Sequence, residues 1–496
     1  MKDIYIIALL IATMGFSSCS DWLDVQPKTS IPGDEIFQSE SGFKDVLTSF
    51  YIKMGTTQLY AGDLTYGYLE TLSGNYDNYL DYMDVKWQEL IWDYSDYFES
   101  KKDGIYSGMF NIIANINNFL KYLDKNREVL KSEHYYEIMK GEALGLRAFL
   151  HFDLLRMFGP VYSLHPESKA IPYRTSFDSQ PTPVLTAQQV TEKILEDLTV
   201  ADTLLEEHDT KIFYDNGINS GEDFDPFLVE RQFRMNTVAI KAMMARVYCY
   251  KGDTESKQKA VEYAKKVIES PHFSLWESYG NPILYGEHIF SLSIYEMDKT
   301  IKIYFPTGMN NTESPLNRIY YMDPTRFETM YEYGQGGNND WRSHNQAFST
   351  RKEEKEWRLC RKYEQDRLSP QNGKDVMPLI RLPEMYYIIA ECGTPEESAG
   401  ALNTVRWARG ISYDDEIIVN DKYDLPMGND EYDPNQTYRI NQIMKEIRKE
   451  YFAEGMLFYF YKQHNYKTFD GCAFDDVRGK YQWPLPNDEI SFGNNN

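Results

Sequence analysis

Two stretches of the chain place aromatic rings among amide and carboxylate side chains, a combination that suits the binding of a polar ring-shaped ligand. The first stretch spans residues 60–98, and the second spans residues 273–341. Aromatic rings pack on the C–H face of a sugar ring, while amides and carboxylates hydrogen-bond its hydroxyl groups. The residues that we predict to contact such a ligand are Tyr76, Trp87, Trp92, Trp276 and Trp341.

The abundance of aromatic residues limits what any single ring indicates. They make up 15% of the chain, and tyrosine alone occurs 40 times. At this frequency a given ring is more often a partly buried core residue than a ligand contact, so only the set as a whole favours a site. Trp341 has additional support because a glycine-rich segment, Gly334 to Asn339, precedes it closely and predicts a flexible rim loop.

The N-terminal residues have the pattern of a lipoprotein signal. An apolar run from Ile4 to Phe16 is followed at once by Ser17, Ser18 and Cys19. Small residues before a cysteine are typical of a lipobox, so we interpret residues 1–18 as a signal peptide and Cys19 as the acylated residue. The run is shorter than the about 20 apolar residues of a membrane-spanning helix. Two or more acyl chains on Cys19 would give a stable anchor, and ordinary secretion is the alternative.

Charge and cysteine spacing exclude several classes of partner. The formal net charge of -24 disfavours nucleic acid. Apart from Cys19, the cysteines Cys249, Cys360, Cys392 and Cys472 lie far apart and form no C-x-x-C pair. The spacing therefore predicts neither a zinc site nor a disulfide framework.

Searches for catalytic motifs do not support an enzyme. The chain contains no G-x-S-x-G, H-E-x-x-H or G-x-x-x-x-G-K-[ST] motif, and its eight histidines show no metal-binding spacing. Residues 215–223 alternate oxygen ligands with glycine, but Ser220 and Pro226 stand where an EF-hand needs glycine and glutamate. We predict a polar surface loop there in preference to a calcium site, and no catalytic residue, metal or cofactor.

Helical periodicity dominates the segments that must position these residues. Apolar residues recur at spacings of three and four from Ser132 to Phe158, and Gly159 and Pro160 then end the helix. Helix pairs joined by short turns are predicted at Asn236–Lys251 with Ser256–Glu269, and at Leu382–Glu391 with Glu396–Arg409. No linker is evident, so we predict one mostly α-helical body over residues 19–496.

Several sequence blocks resemble the SusD/RagB family of nutrient-uptake outer-membrane lipoproteins. The most specific block runs from Lys140 through Phe158, where G-E-A-x-x-L-R-A precedes an aromatic stretch and F-G. The remaining blocks follow in the family's order: Ile171–Tyr173, Ala245–Tyr248, Ile380–Glu391, Leu402–Arg406 and Trp483–Glu489. One block departs from the pattern, because Lys445–Gly455 is followed by M-L-F-Y-F-Y-K in place of the usual D-L-x-R-W run, which suggests a divergent branch.

The resemblance implies a SusD-like fold, with tetratricopeptide-like helix pairs as a scaffold and a less regular half that carries the ligand site. It also implies an outer-membrane location facing the cell exterior and a partner, a SusC-like TonB-dependent transporter. The expected function is capture of a nutrient, in the first place a glycan, for that transporter. Capture of peptide or another nutrient by the same fold, and a surface adhesin or assembly subunit, are the alternatives.

A charged segment, Arg351 to Arg367, alternates both signs and has few apolar residues besides Trp357 and Leu359. This pattern predicts a solvated helix face. Contact with the transporter is the alternative interpretation.

Overall fold

The computed structural model describes residues 33–77, 79–80, 85–86, 92–94, 96–209, 225, 227–276, 280–305, 320–352, 356–428, 433 and 435–492. Cys19, Trp87 and the segment 215–223 lie outside these residues. Within them, no helix is both long and apolar enough to cross a membrane.

Helices form most of the described chain, which confirms the predicted mostly α-helical fold class. In chain order they are α1 Gly33–Ile36, α2 Glu40–Met54, α3 Tyr68–Leu72, α4 Asp96–Lys125, α5 Tyr135–Phe158, α6 Ala187–His208, α7 Thr237–Lys251, α8 Thr254–Ile268, α9 Met297–Tyr304, α10 Pro324–Met330, α11 Pro383–Cys392, α12 Pro395–Ala408, α13 Tyr438–Glu450, α14 Met456–Gln463 and α15 Asn487–Phe492.

The scaffold is a series of packed neighbours. Helix α2 packs on α4, and the contacts continue through α5, α6, α7 and α8, after which α8 packs on α11 and α11 on α12. Buried side chains from all of these helices belong to one contiguous hydrophobic cluster. The scaffold therefore buries the apolar stripe that each helix alone would expose.

The pair α7–α8 shows why the local sequence folds as predicted. The Asn236 side chain accepts a hydrogen bond from the Ala239 N–H and begins α7, while Asp253 caps α8 in the same way. Gly252, with a φ of 72°, makes the turn between them. The small residues Ala242 and Ala260 are fully buried, so the two helices can approach closely.

The pair α11–α12 has equally local causes. Pro383 and Pro395 stand in the first turns, where a missing N–H costs nothing. Thr394 and Glu397 form a capping box at the start of α12. Both predicted helix pairs are therefore present, with boundaries shifted by at most two residues.

Strands are short, and in the described residues they pair two by two. All pairs are antiparallel: β1 Tyr79–Leu80 with β2 Val85–Lys86, β3 Lys169–Pro172 with β4 Val184–Thr186, β5 His288–Ser293 with β8 Val376–Arg381, and β6 Phe348–Lys352 with β7 Glu356–Cys360. The β5–β8 pair is buried along most of its length.

The hairpin β6–β7 corrects one prediction. The segment Arg351–Arg367 begins in this hairpin and is not a solvated helix face. Phe348, Leu359 and Cys360 are buried, so the hairpin is held by core contacts that a charge pattern cannot reveal.

Candidate functional site

The two aromatic stretches predicted from the sequence meet at Asp77. The N–H of Asp77 donates to the Tyr321 carbonyl over 2.8 Å. In return the Asp77 carboxylate accepts a hydrogen bond of 2.7 Å from the N–H of Asp323. Residues about 240 positions apart thus run side by side, which secondary structure alone could not specify.

Beside this contact lies a pair of half-buried rings, Tyr321 and Trp357, which we call the aromatic face. Their centroids are 4.7 Å apart and their planes are inclined by 50°. Met322 and Arg358 exchange two backbone hydrogen bonds of 2.9 Å, one residue from each ring. Tyr321 and Trp357 are therefore diagonal neighbours on the same side of a small antiparallel sheet, which is why they meet.

A cluster of alternating charges adjoins the aromatic face. It consists of Asp77, Arg326, Arg448 and Asp470, and we call it the ion cluster. Arg326 donates to Asp77 and, over 3.0 Å, to Asp470, while Arg448 donates to Asp470 over 2.6 Å. Asp77 and Asp470 keep 14% and 23% of their side-chain surface exposed, so solvent or a ligand can reach these carboxylates.

The charges set the protonation of Asp470. Partial burial alone would raise the pKa of this carboxyl, but Arg448 and Arg326 outweigh burial and lower it to about 2. At neutral pH the ion cluster therefore presents carboxylate oxygens as hydrogen-bond acceptors.

Tyr76, one of the predicted ligand residues, lies beneath this region. Its ring stacks on Tyr320 at 4.3 Å with the planes almost parallel, and Tyr320 stacks on Tyr304 at 5.2 Å. The Tyr76 hydroxyl donates to the Tyr66 carbonyl over 2.9 Å. The residue is 6% exposed, so its assignment as a ligand contact is corrected: it supports the neighbouring segment from within the core.

Trp92 is corrected for the same reason. It has no exposed surface and packs among Phe458, Phe469 and Tyr481. Trp92 follows many tyrosines and aspartates in the sequence, which suggested an exposed ring that a ligand could contact. The ring instead fills the space beside α14. Trp87 lies outside the described residues, so its role stays a prediction.

Trp276 and Trp341 are brought together through one residue, Arg409. Arg409 Nη1 donates to the Trp276 carbonyl over 3.2 Å, and the N–H of Trp341 donates to the Arg409 carbonyl over 2.9 Å. Both indoles are half-buried; that of Trp341 lies against Gly410 and that of Trp276 against Gly286. Their predicted role as ligand contacts stays a prediction.

Next to Trp341 a small pocket opens, lined in part by Tyr331, Phe348 and Phe452. Its deeper wall includes Arg342, Arg409 and Glu450, which belong to a group of buried ion pairs. We call this group the charge network: Glu287, Arg342, Arg381, Arg406, Arg409, Glu446, Glu450 and Glu454.

Glu450 is the centre of the charge network. Its carboxylate accepts hydrogen bonds from Arg342 over 3.1 Å, from Arg381 over 2.7 Å and from Arg409 over 2.9 and 3.0 Å. Burial would raise its pKa, but these three guanidinium groups hold the pKa well below its usual range. The guanidinium groups in turn donate to carboxylates of the protein. The positive and negative charges in the pocket wall therefore balance each other.

Helix α13 separates the two charged regions. Glu446 and Glu450 are four residues apart and face the charge network, whereas Arg448 lies between them and faces the ion cluster. The end of this helix belongs to the block Lys445–Gly455, which is followed by M-L-F-Y-F-Y-K in place of the usual D-L-x-R-W run. Its charged residues thus have structural partners on both faces of one helix.

The aromatic face is not among the ligand contacts predicted from the sequence. Tyr321 falls inside the second stretch but is not one of the predicted contacts, and Trp357 lies in the segment predicted to be a solvated helix face. The available signal was the alternation of polar and apolar residues from Glu356 to Leu359, around Trp357. Such alternation is typical of a half-exposed strand.

In the described residues, no group of three or more His, Cys, Asp or Glu side chains could hold a metal ion.

Comparisons with known proteins agree with this architecture. Residues 21–216 match a SusD-like family model described as starch-binding and associating with the outer membrane, and residues 297–462 match the SusD family model. No curated protein matches the chain.

Solved structures share the fold at low identity. A SusD superfamily protein from Bacteroides thetaiotaomicron has 18% identity and a TM-score of 0.65, covering 92% of this chain and 98% of that one. A SusD-like carbohydrate binding protein from Bacteroides vulgatus has 17% identity and a TM-score of 0.62, covering 86% and 84%. NanU from Bacteroides fragilis has 16% identity and a TM-score of 0.64, covering 94% and 97%. With both family models matching in order on one fold, the chain belongs to the SusD/RagB family.

Proposed function

We propose that this protein captures a glycan at the aromatic face and delivers it to a SusC-like TonB-dependent transporter in the outer membrane. The observation that carries the proposal is the half-buried Tyr321–Trp357 pair beside the partly exposed carboxylates of the ion cluster. Aromatic rings and carboxylates in one place match the C–H faces and hydroxyl groups of a sugar. Membership of a family associated with the outer membrane supports the location.

A lipid anchor on Cys19 would hold the protein at the membrane. Residues 19–496 form a single SusD-like body that is tethered by acyl chains on Cys19 and faces the cell exterior. The protein binds and releases its ligand without a chemical step. A Cys19→Ser variant is expected to leave the membrane fraction, and retention of that variant in washed outer membranes would contradict the anchor.

Calorimetric titration of the soluble form that starts at Ser20 tests the ligand. Plant and host polysaccharides are titrated in parallel with a peptide digest. We expect saccharide binding that weakens at least about tenfold in Trp357→Ala, which corresponds to about 1.4 kcal/mol. Binding of peptide but not of saccharide would overturn the glycan assignment and favour peptide capture by the same fold.

A matched control comes from a second aromatic pair. Trp407 and Tyr413 lie 4.6 Å apart with planes inclined by 39°, which is close to the geometry of the aromatic face. Trp407→Ala removes a similar half-buried ring at another place on the surface. We expect it to leave saccharide binding unchanged; the same loss in both variants would show that the aromatic face is not the site.

The same saccharide titration is carried out with Trp276→Ala and Trp341→Ala. Both rings were predicted from the sequence and lie on the opposite side of α13 from the ion cluster. Loss of binding in either of these variants, with Trp357→Ala unaffected, would move the site to the pocket beside Trp341.

The partner requires a separate experiment. A SusC-like transporter encoded beside this chain is expected to co-purify with it from detergent-solubilised outer membranes. Failure of the two proteins to co-purify when both are present would contradict the delivery step while leaving glycan binding intact.

A further inference from the structure

We propose that a cleft between α4, the loop from β3 to β4 and the segment that enters α15 binds a short neutral oligosaccharide. It would be a second site on the same molecule, because other residues line it than form the aromatic face, the ion cluster or the pocket beside Trp341. The proposal shares its class of ligand with the proposed function, but its location rests on separate observations.

The size of the cleft suits a small molecule. Its volume is about 680 Å³, and ligand sites in proteins are typically clefts of about 300–1,000 Å³. One wall is formed by α4 between Asp103 and Phe110, a second by the loop residues Arg174 and Ser179–Thr182, and a third by Pro486–Glu489. The cleft can therefore hold a ligand of several linked rings.

Hydrogen bonds fasten the walls to the helical scaffold. Asn117 of α4 donates to the carbonyls of Arg174 and Ser176 over 3.1 and 3.3 Å. The N–H of Arg174 donates to His151 Nε2 of α5 over 3.1 Å. At the other wall, Asn487 Nδ2 donates to Glu99 Oε1 of α4 over 2.9 Å. The cleft is thus formed before any ligand binds, as is usual for small-molecule sites.

Two aromatic rings stand one helical turn apart on the α4 wall. The centroids of Tyr106 and Phe110 are 4.7 Å apart and their planes are inclined by 50°, the same values as in the aromatic face. Tyr106 is 5% exposed, whereas Phe110 is half-buried. Phe110 is therefore the ring that can pack on the C–H face of a sugar.

The polar groups of the cleft include both donors and acceptors. Arg174 Nη2 donates to the carbonyls of Asp178 and Gln180 over 2.9 and 3.2 Å. Arg174 Nε is buried and finds no acceptor in the described part of the chain. A buried donor without an acceptor is costly, so an oxygen atom of a ligand at Nε would be favourable. Asp488 and Glu489 add carboxylates, which accept hydrogen bonds when ionised.

This combination selects for a neutral ligand with hydroxyl groups. The carboxylates of Asp488 and Glu489 would repel an anion, and a cation could not accept from Arg174. A hydroxyl group can accept from a guanidinium and donate to a carboxylate. Together with the ring of Phe110, these groups match a neutral sugar better than a charged one.

Calorimetric titration with neutral trisaccharides tests the proposal: maltotriose, cellotriose, xylotriose and mannotriose. The soluble form carries Trp357→Ala, so that the aromatic face contributes little. We expect at least one trisaccharide to bind, and its binding to weaken at least about tenfold when Phe110→Ala or Ser107→Trp is added. Unchanged binding in both double variants, or no trisaccharide binding when Trp357→Ala is the sole substitution, would overturn the proposal.

The two added substitutions perturb the cleft in different ways. Phe110→Ala removes the ring, whereas Ser107→Trp places a bulky side chain in the cleft from an exposed position of α4. Tyr122→Ala is the matched control, because it removes another half-buried ring of α4, which stacks on Phe37 away from the cleft. We expect it to leave binding unchanged. The same loss with Tyr122→Ala would show that damage to α4 is the cause, and would contradict the cleft as the site.

Single variants separate this proposal from the proposed function. Loss of saccharide binding with Trp357→Ala but not with Ser107→Trp would support the aromatic face and contradict the cleft, and the reverse result would support the cleft and contradict the aromatic face. Thermal unfolding of Ser107→Trp is expected to match that of the wild type, since the substituted residue is exposed. Binding of a peptide digest that Ser107→Trp abolishes, without any trisaccharide binding, would overturn the class of ligand.

Discussion

Helix α13 carries two charged regions with opposite exposure, the ion cluster on one face and the charge network on the other. Both join arginines to carboxylates near aromatic rings. In the charge network the side chains of Glu450 and Arg381 are at most 1% exposed, whereas Asp470 in the ion cluster is 23% exposed. The same residue types therefore have different surroundings: the buried pairs are closed off by protein, whereas the carboxylates of the ion cluster keep part of their surface open to solvent.

The largest expected effect comes from breaking the charge network at Glu450. Glu450→Ala leaves Arg342, Arg381 and Arg409 without their shared acceptor in a buried place. We expect a loss of about 3–5 kcal/mol in the free energy of unfolding, measured by urea denaturation. Asp476→Asn, which breaks an exposed pair with Arg478, serves as the control and should leave the denaturation midpoint unchanged.

A smaller effect on the same side is expected from Gly410→Ala. The added methyl group would lie 2.3 Å from Nε1 of Trp341, and the φ of Gly410 is +86°. We expect a loss of about 1–3 kcal/mol in thermal or chemical unfolding, with saccharide binding retained.

Gly400→Ala is the matched control for that substitution. Gly400 lies in α12, and an added methyl group there would meet no atom within 4 Å. Since alanine favours the helix, we expect a gain of up to about 1 kcal/mol. Equal destabilisation by both substitutions would show that the close approach of Trp341 is not the cause.

The ion cluster should respond to acid. Asp470 has an ordinary pKa of 3.8 and a folded-state pKa of about 2, so it stabilises the folded state above pH 3.8 and loses that contribution as the pH falls towards 2. Relative to Asp470→Asn, the wild type is expected to lose about 2 kcal/mol of unfolding free energy across this interval. Parallel stability curves for the two proteins between pH 5 and about 2 would contradict this role.

The smallest effect separates ring stacking from mere bulk at the aromatic face. Trp357→Phe keeps a ring but reduces its area, so we expect binding to weaken by about threefold, less than the loss in Trp357→Ala. Both variants should unfold within about 1 kcal/mol of the wild type, because the ring is half-buried. Equal losses of affinity in the two variants would argue against stacking.

Much of the helical scaffold could be predicted from the sequence. Spacings of three and four along Ser132–Phe158, caps such as Asn236 and Thr394, and the turn at Gly252 act within a few residues, so local patterns were sufficient. The sequence blocks that resemble the SusD/RagB family also indicated the order of the elements along the chain. The candidate site was predicted only in part: its two aromatic stretches do meet, but Tyr76 and Trp92 are core residues and the aromatic face was missed.

The mostly helical fold class, the helix pairs and the lipobox-like pattern at Cys19 can be predicted from the sequence, because each depends on neighbouring residues. Which aromatic rings stay accessible depends on tertiary packing. Tyr76 and Trp357 both have polar neighbours in the sequence, yet one stacks beneath Tyr320 and the other lies half-buried beside Tyr321. Exposure depends on which distant segments cover a side chain, and that information is absent from any local pattern.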